Sequence, residues 1–147
     1  MKIKLIKFND NLITPTRAHY NDAGLDCYAL EDITLFPNFN YFGTTQTHFI
    51  INTIPLGFGL EIPDGYMGTI RPRSSMSAKG ILTQIGTIDS GYRGEIKVVM
   101  INLTDRPILI SKGDKICQLV IEPVILADLV EELNNDRGAS GFGSSGK

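Results

Sequence analysis

Two arginines and a run of serines form the first group of side chains that could do chemistry. Arg71 and Arg73 stand just before a short serine-rich run, which starts with Ser74 and Ser75 and stops at Gly80. Backbone amides at the start of a helix attract anions, and arginine binds phosphate oxygens through paired hydrogen bonds. The pattern predicts one or two helical turns, with either serine as N-cap and Gly80 as the stop, and a phosphate clamp at the start. Solvated surface charge is the alternative interpretation.

A single carboxylate between two apolar stretches is the second candidate. Asp89 lies in the glycine-rich stretch 86–94, which separates apolar residues at 80–85 from those at 95–99. This pattern predicts a β-hairpin with exposed backbone groups, where a carboxylate could orient and deprotonate a water molecule. An aspartate that serves an Asx turn is the alternative interpretation. Asp26, which follows Ala-Gly-Leu, is ambiguous in the same way.

The C-terminal segment has a composition unlike the rest of the chain. After Asn135 it consists mainly of glycine and serine, with one arginine, Arg137, and one aromatic residue, Phe142. Such a segment cannot form a core, so it predicts either a frayed end or expression scar, or an arm that orders on a ligand. In the second case glycine amides would bind anionic oxygens, Arg137 would neutralise them and Phe142 would stack on a ring. Residues 141–147 approximate a phosphate-binding P-loop, but the strand and helix that a P-loop requires are missing around them, so that fold is rejected.

Glycines and prolines divide the chain into the elements that must position these residues. Fifteen glycines and seven prolines separate short stretches rich in isoleucine and valine. Short strands at regular spacing predict an all-β barrel or double-sheet jelly roll with at most one short helix. The stretch 96–101 has apolar residues on both faces, which predicts a strand buried on both sides. Turns are predicted at 63–65 and 112–114, and 126–134 fits either a strand or a helical turn.

Length and charge restrict the domain organisation and exclude several functions. The chain has 147 residues, of which 42% are hydrophobic and 20% charged, with a net charge of −2. These values predict one domain over residues 1–135, followed by a flexible arm at 136–147. They provide no basic field for nucleic acid, no apolar run reaches the roughly 18 residues of a membrane helix, and the N-terminus is not a signal peptide. We therefore expect a cytoplasmic protein, or one of the nucleus or host cytoplasm if viral, without nucleic-acid or membrane partners.

Cysteine usage agrees with a reducing compartment. Cys27 and Cys117 lie in apolar stretches and are predicted to be buried, reduced thiols. Two cysteines and two histidines in the whole chain argue against a structural zinc site.

Five stretches, in order, resemble the five motifs of the trimeric dUTP diphosphatase (dUTPase) family. They are Ala23-Gly-Leu-Asp-Cys-Tyr-Ala29, Pro72-Arg-Ser-Ser75 running to Lys79-Gly80, Gly86-Thr-Ile-Asp-Ser-Gly-Tyr-Arg-Gly-Glu95, Gly113-Asp-Lys-Ile-Cys-Gln-Leu119 and Arg137-Gly-Ala-Ser-Gly-Phe-Gly-Ser-Ser-Gly146. No single motif is decisive, but five in this order and spacing are specific. The resemblance implies a β-jelly roll that assembles as a homotrimer, with each site built from several subunits.

The resemblance also implies an activity. Family members hydrolyse dUTP to dUMP and diphosphate, which lowers dUTP and supplies dUMP for thymidylate synthesis, with Mg²⁺ held chiefly by the triphosphate oxygens. Asp89 matches the carboxylate that activates the attacking water, and Tyr92 matches the ring that packs under the deoxyribose and excludes a 2′-hydroxyl. The backbone from Thr83 through Lys97 matches the stretch that reads the edge of uracil. That stretch includes Gly86, Thr87 and Ile88.

Phosphate contacts are implied for two further groups of residues. The first group matches the family's phosphate contacts and consists of Arg73, Ser74, Ser75 and Gln118. The second belongs to the arm that closes the site, with Phe142 on uracil and the others on the γ-phosphate. These are Arg137, Phe142, Gly143, Ser144 and Ser145. No direct metal ligand is expected from the chain. Asp26 and Asp114 match acids of the family that either have a structural role or contact Mg²⁺ through a water molecule.

Two positions depart from the family pattern, and three other functions stay open. Ser75 stands where the family usually has glycine, which restricts the backbone at a phosphate contact. Gly91 stands where an acid is common, but Asp89 is retained. The alternatives are a dCTP deaminase of the same fold, a nucleotide-sensing regulatory module, and a structural jelly roll such as a capsid or lectin domain. The Asp89-x-x-Tyr92 spacing and the Phe142 arm favour the diphosphatase.

Overall fold

Short strands dominate the computed structural model of the chain, which describes residues 1–38 and 50–130. Within those residues the elements are, in chain order, β1 (Lys4–Lys7), β2 (Leu25–Tyr28), β3 (Ile33–Leu35), β4 (Asn52–Pro55), β5 (Phe58–Glu61), β6 (Tyr66–Pro72), α1 (Ser74–Ala78), β7 (Ile81–Thr83), β8 (Gly86–Ile88), β9 (Lys97–Asn102), β10 (Ile108–Ile110) and β11 (Lys115–Pro123). The prediction of an all-β fold with at most one short helix is confirmed. In these ranges no helix has the length and apolar character needed to cross a membrane. Residues 126–130 form neither of the predicted elements, and 131–134 lie outside the described residues.

The strands pair antiparallel in four small sheets within the described ranges: β1–β5, β3–β10, β4–β9–β7 and β2–β11–β6–β8. The longest strand, β11, lies between β2 and β6, so that Gln118 stands opposite Asp26 on one side and Arg71 on the other. Residues 92 positions apart in sequence thereby become neighbours. This non-local pairing positions the polar groups of the site.

The hydrophobic core is formed by the inward faces of the strands, around buried side chains such as Phe58. In β9, Val98 and Met100 are buried, whereas Val99 and Ile101 stay half-exposed. The residues opposite them in β4 and β7 are exposed, so the outer face of this sheet is open to solvent in the single chain. The prediction that this strand is buried on both sides is therefore right for one face and wrong for the other.

The predicted hairpin around Asp89 forms at its base and then opens. β7 pairs with β9, with Thr83 opposite Met100, as the prediction requires. Beyond this point β8 leaves the hairpin and pairs with β6 instead. The reason is the burial of Ile88, which packs against Gly68, where a β-carbon would lie 3.2 Å from the β-carbon of Ile88. The opening separates β8 from the start of β9 and leaves a cleft between them.

The turn and helix-end glycines behave as predicted. Gly65, Gly80 and Gly113 have φ values of +80°, +80° and +86°, which only glycine adopts without strain. The turns at 63–65 and 112–114 and the stop of α1 are therefore confirmed. The predicted serine N-cap is wrong, because Arg73 is the N-cap of α1 and provides no capping hydrogen bond from its side chain. Burial of Met76 holds this short helix on the protein instead.

The two cysteines face each other across the β2–β11 ladder. Cys27 and Cys117 are register partners, both fully buried and both free thiols, as predicted. A hydrogen bond with Cys27 and burial raise the pKa of Cys117 far above its ordinary value. A thiol held protonated in this way is a poor nucleophile, so the pair serves as core packing.

Candidate active site

A cleft of about 290 Å³ opens between β8 and the start of β9. Its lining residues are Ile70, Gly86, Thr87, Ile88, Asp89, Tyr92, Glu95, Ile96 and Lys97. Six residues predicted from sequence for the catalytic or uracil-binding part are thus together around one cavity. Thr83 is not among them, because the alternation of β7 turns its side chain inward with that of Ile81. A larger cavity, of about 500 Å³, lies elsewhere and is lined by none of the predicted site residues that the structure describes.

The strand β8 forms one wall of the cleft and has one free edge. In the described part of the chain it is the last strand of the sheet β2–β11–β6–β8, and its inner edge pairs with β6 from Gly68 to Ile70. The backbone N–H and C=O groups on the other edge therefore remain available. An edge of this kind can hydrogen-bond a planar heterocycle with donors and acceptors in a fixed order.

Asp89 stands at the end of β8 and is exposed. Its backbone carbonyl accepts a hydrogen bond from the amide of Tyr92 at 3.0 Å, which closes a turn. Among the described residues its carboxylate has no hydrogen-bonding partner, whereas Asn9 and Asp22 do accept from nearby backbone amides. The Asx-turn interpretation of Asp89 is therefore wrong. A free carboxylate at the mouth of a cleft is suited to accept a proton from water.

The ring of Tyr92 lies against the backbone of Gly94. Its hydroxyl donates a hydrogen bond to the carbonyl oxygen of Glu95 at 3.0 Å. A β-carbon on Gly94 would be 2.5 Å from the phenol oxygen and 2.7 Å from the ring carbon that bears it. The glycine is thus required for the ring to occupy this position.

The far end of the loop is fastened to the turn between β4 and β5. The amide of Gly57, with φ of +77°, donates a hydrogen bond to Glu95 Oε1 at 2.9 Å. Gly59 lies so close to the backbone of Gly94 that a β-carbon on it would be 2.6 Å from the Gly94 carbonyl oxygen. Sequence reasoning assigned no role to Gly57, Gly59 or Glu95. The only signals for them were two glycines, two residues apart, at the start of an apolar stretch, and the place of Glu95 at the end of the third motif.

A second polar group is centred on Asp26, which is only 2% exposed. Its Oδ1 lies 3.1 Å from Arg73 Nε and accepts a hydrogen bond from Gln118 Nε2, also at 3.1 Å, while Oδ2 lies 2.8 Å from Lys115 Nζ. Burial raises the pKa of Asp26, but the hydrogen bonds from Lys115 and Gln118 and the charge of Arg73 outweigh burial and lower it overall. The carboxylate therefore stays ionised.

Arg73 is the arginine of the predicted clamp that faces this group. Its Nη1 donates to the carbonyl oxygen of Lys115 at 3.0 Å and to Ser75 Oγ at 3.3 Å. Ser74 and Ser75 are exposed at the start of α1, where the backbone is helical, so a serine in place of glycine causes no strain there. Arg71 is bound by Glu122 at 2.7 Å instead, which lowers the pKa of Glu122.

The remaining predicted residues fall into two sets. Asp114 accepts the amide of Ser111 at 2.9 Å and closes the turn before β11, which is a structural role. The arm residues lie outside the described residues. These are Arg137, Phe142, Gly143, Ser144 and Ser145.

The described ranges contain no group of three or more histidine, cysteine, aspartate or glutamate side chains that could together hold a metal ion. Both oxygens of Asp26 already have donors.

Comparison with known proteins identifies the family. A family model described as dUTPase matches residues 10–146. The chain belongs to the dUTPase family. The recognition based on five sequence motifs is thereby confirmed.

Curated members of the dUTPase family match almost the whole chain. The deoxyuridine 5′-triphosphate nucleotidohydrolase of Corynebacterium glutamicum is 41% identical over 152 residues, covering 99% of this chain and 95% of that protein. The enzyme of the same name from Mycolicibacterium gilvum is 39% identical over 156 residues, covering 98% and 94%.

Solved dUTPase structures share the fold. The dUTPase of Staphylococcus bacteriophage 80alpha with dUpNHpp has a TM-score of 0.78 and 28% identity, covering 99% of both chains. A mutant dUTPase from phage phi11 of S. aureus, studied for the coordination of a structural Mg(II) ion, has a TM-score of 0.73 and 27% identity, covering 90% of this chain and 98% of that one. The jelly-roll prediction is confirmed.

Proposed function

We propose that this chain hydrolyses dUTP to dUMP and diphosphate, which lowers dUTP and supplies dUMP for thymidylate synthesis. One observation carries the proposal. This chain belongs to the dUTPase family, and its Asp89 carboxylate lies beside Tyr92 at a cleft bounded by an edge strand. The curated relatives at 39% and 41% identity are named dUTP nucleotidohydrolases.

Uracil would bind along the free edge of β8. Alternate residues in the stretch Gly86, Thr87 and Ile88 present backbone donors and acceptors on this edge in a fixed order, which suits the donor and acceptors on the edge of uracil. Cytosine has the opposite groups at two of these positions and would leave buried polar groups unpaired, a mismatch that enzymes penalise heavily. Uracil selection is thus a property of the backbone rather than of any one side chain.

The ring of Tyr92 would pack under the deoxyribose. Because Gly94 and the Glu95 carbonyl hold the ring in place, it cannot swing aside to admit a 2′-hydroxyl. UTP would therefore be excluded by a steric contact that dUTP does not make.

Asp89 would act as the general base. Its carboxylate accepts a proton from a water molecule as the water oxygen attacks the α-phosphorus, and the bond to the bridging oxygen of the leaving diphosphate breaks in line. The chain contributes position and charge, and no covalent intermediate is required.

The phosphates would be held by two sets of residues. Arg73 and Gln118 belong to the Asp26 group, which consists of Asp26, Arg73, Lys115 and Gln118. Ser74 and Ser75 lie at the start of α1. The arm would close over the phosphates through Arg137, Phe142, Gly143, Ser144 and Ser145. Mg²⁺, held chiefly by the phosphate oxygens, would neutralise their charge when bound. Support for this ion comes from family membership.

Each complete site would be shared between subunits of a homotrimer. In the single chain the lining of the cleft includes none of the phosphate-binding residues of the Asp26 group. Large apolar side chains are also exposed near the end of the described chain, where Ile125, Leu126 and Leu129 are more than four-fifths exposed. Light scattering should give three times the chain mass of 16.2 kDa. A monomer mass would contradict the shared site.

We further propose a cytoplasmic location, or the nucleus or host cytoplasm for a viral protein.

The deciding experiment measures diphosphate release from dUTP, with dCTP, dTTP and UTP assayed in parallel. Only dUTP should be hydrolysed efficiently, and dCTP should release no ammonia, which distinguishes a diphosphatase from a deaminase. Asp89→Asn should reduce turnover by about 10²–10⁴-fold while dUpNHpp still binds. Turnover of Asp89→Asn within threefold of wild type would remove Asp89 from the role of base.

A further inference from the structure

Lys115 is a charged residue of the Asp26 group to which neither the motifs nor the proposed chemistry assigns a role. Its ammonium lies 2.8 Å from Asp26 Oδ2, and the bond raises the pKa of Lys115 above its ordinary value. Asp26 therefore has two cations, Arg73 on one oxygen and Lys115 on the other. With one negative and two positive charges, the group keeps a net positive charge. Without Lys115 the charge of Arg73 would be cancelled by Asp26.

The geometry also divides the two carboxylate oxygens between different partners. Since Lys115 occupies Oδ2, Oδ1 is left for Arg73 Nε and Gln118 Nε2. Arg73 Nη1 is used by the Lys115 carbonyl and Ser75, which leaves Nη2 without a protein partner among the described residues.

The amide of Gln118 is oriented by the same oxygen. An ionised carboxylate only accepts hydrogen bonds, so the nitrogen of Gln118 must face Asp26, and its second N–H remains available. Gly24 makes room for this arrangement, because a β-carbon there would lie within 3.0–3.2 Å of three atoms of Gln118. Both donors matched to phosphate are therefore aimed by one buried carboxylate.

We propose that Lys115 and Asp26 are positioning residues for the triphosphate, with Lys115 holding one carboxylate oxygen so that the other orients Arg73 and Gln118 in a group of net positive charge. The proposal rests on the proposed dUTP hydrolysis. Neither residue needs to touch the substrate. The contribution of this pair should therefore grow with the number of phosphates on the ligand.

The test compares Lys115→Met with Lys115→Arg and with Lys112→Met. Lys112 is exposed in the turn before β11, and its side chain has no ion-pair partner in the described ranges, so its removal controls for a loss of net charge. Lys115→Met should raise KM for dUTP and Kd for dUpNHpp by about 10-fold, the magnitude of one misdirected charge-assisted hydrogen bond. Its Kd for dUMP should stay within about twofold of wild type. Lys115→Arg should keep most of the affinity, and Lys112→Met should match wild type.

A second substitution separates positioning from folding. In the Lys115→Met background, Asp26→Asn removes the charge that cancels Arg73 but keeps an oxygen that can accept the hydrogen bond from Gln118 Nε2. Part of the dUpNHpp affinity should return, a gain that a merely structural role would not produce. The proposal would be overturned if Lys115→Met lost affinity equally for dUMP and dUpNHpp, or if the double variant regained no affinity for dUpNHpp. If wild type hydrolyses dUTP but Lys115→Met binds dUpNHpp normally, only the positioning role fails; if wild type does not hydrolyse dUTP, the proposed function fails.

Discussion

Substitution of Gly94 by alanine tests how the sugar is selected. The backbone of Gly94 is not in the left-handed region, so alanine introduces no conformational strain and acts only through its β-carbon. That carbon would lie 2.5 Å from the hydroxyl oxygen of Tyr92 and 2.7 Å from the carbon that bears it. The ring must therefore move by roughly 1 Å to reach ordinary van der Waals contact.

This movement has a calculable effect on selectivity. It breaks the hydrogen bond from Tyr92 to the Glu95 carbonyl, a bond worth about 0.5–1.5 kcal/mol. The freed ring can swing away from the sugar, so we expect the ratio of kcat/KM for dUTP over UTP to fall about 10-fold, which corresponds to about 1.4 kcal/mol. Because Tyr92 is already 46% exposed, the melting temperature should change little.

Gly91→Ala is the matched control. A β-carbon on Gly91 meets no atom within 4 Å, so this variant should keep the selectivity of wild type. Both variants are assayed with dUTP and UTP under steady-state conditions, and melting curves report on folding. An unchanged dUTP-to-UTP ratio in Gly94→Ala would show that the contact with Tyr92 does not set sugar selection.

Three further predictions concern stability and the arm. The pKa of Asp26 is lowered in the folded state, so its contacts stabilise the protein above pH 3.8 and this contribution is lost as the pH falls through the folded pKa. In urea unfolding between about pH 6 and pH 3, the free energy of unfolding should therefore fall more steeply for wild type than for Asp26→Asn. Parallel curves for the two proteins would contradict this prediction. Truncation after Asn135 should leave a folded protein with little dUTPase activity. Phe142→Tyr should retain more activity than Phe142→Ala. If the truncated enzyme has the kcat/KM of wild type, the arm has no role in activity. Gly68→Ala should lower the free energy of unfolding by about 1–3 kcal/mol, because its β-carbon would lie 3.1 Å from Ile62 and 3.2 Å from Ile88. Gly86→Ala is the control: its β-carbon would have its nearest neighbour at 3.9 Å, so its free energy of unfolding in chemical denaturation should stay within about 0.5 kcal/mol of wild type.

Local features of the fold were predictable because their causes are local. Gly65, Gly80 and Gly113 mark turns or a helix end, since positive φ is a property of the residue and its immediate neighbours. The inward face of β9 follows from alternation along one strand. The five motifs named most of the candidate site residues without saying how those residues touch.

Contacts between distant strands were not predictable from the same patterns. The sequence favoured a closed hairpin at Asp89, but β8 pairs with β6 because Ile88 is better buried against Gly68. The helix cap is Arg73 rather than a serine, and the side chain of Arg73 contacts Asp26 and the Lys115 carbonyl instead of capping the helix. Each outcome depends on a partner far away in sequence.

The amino-acid sequence by itself determined the fold class, the turns and the family, and it singled out Asp89 as the proposed base, because these depend on residue types, their order and short-range spacing. Only the tertiary structure decided that Glu95 is fastened to Gly57, that Gly94 fixes the ring of Tyr92, and that Lys115 shares Asp26 with Arg73. Such contacts depend on sheet register and on which strands pack together, and these are set by the free energy of burying the whole core rather than by any local stretch.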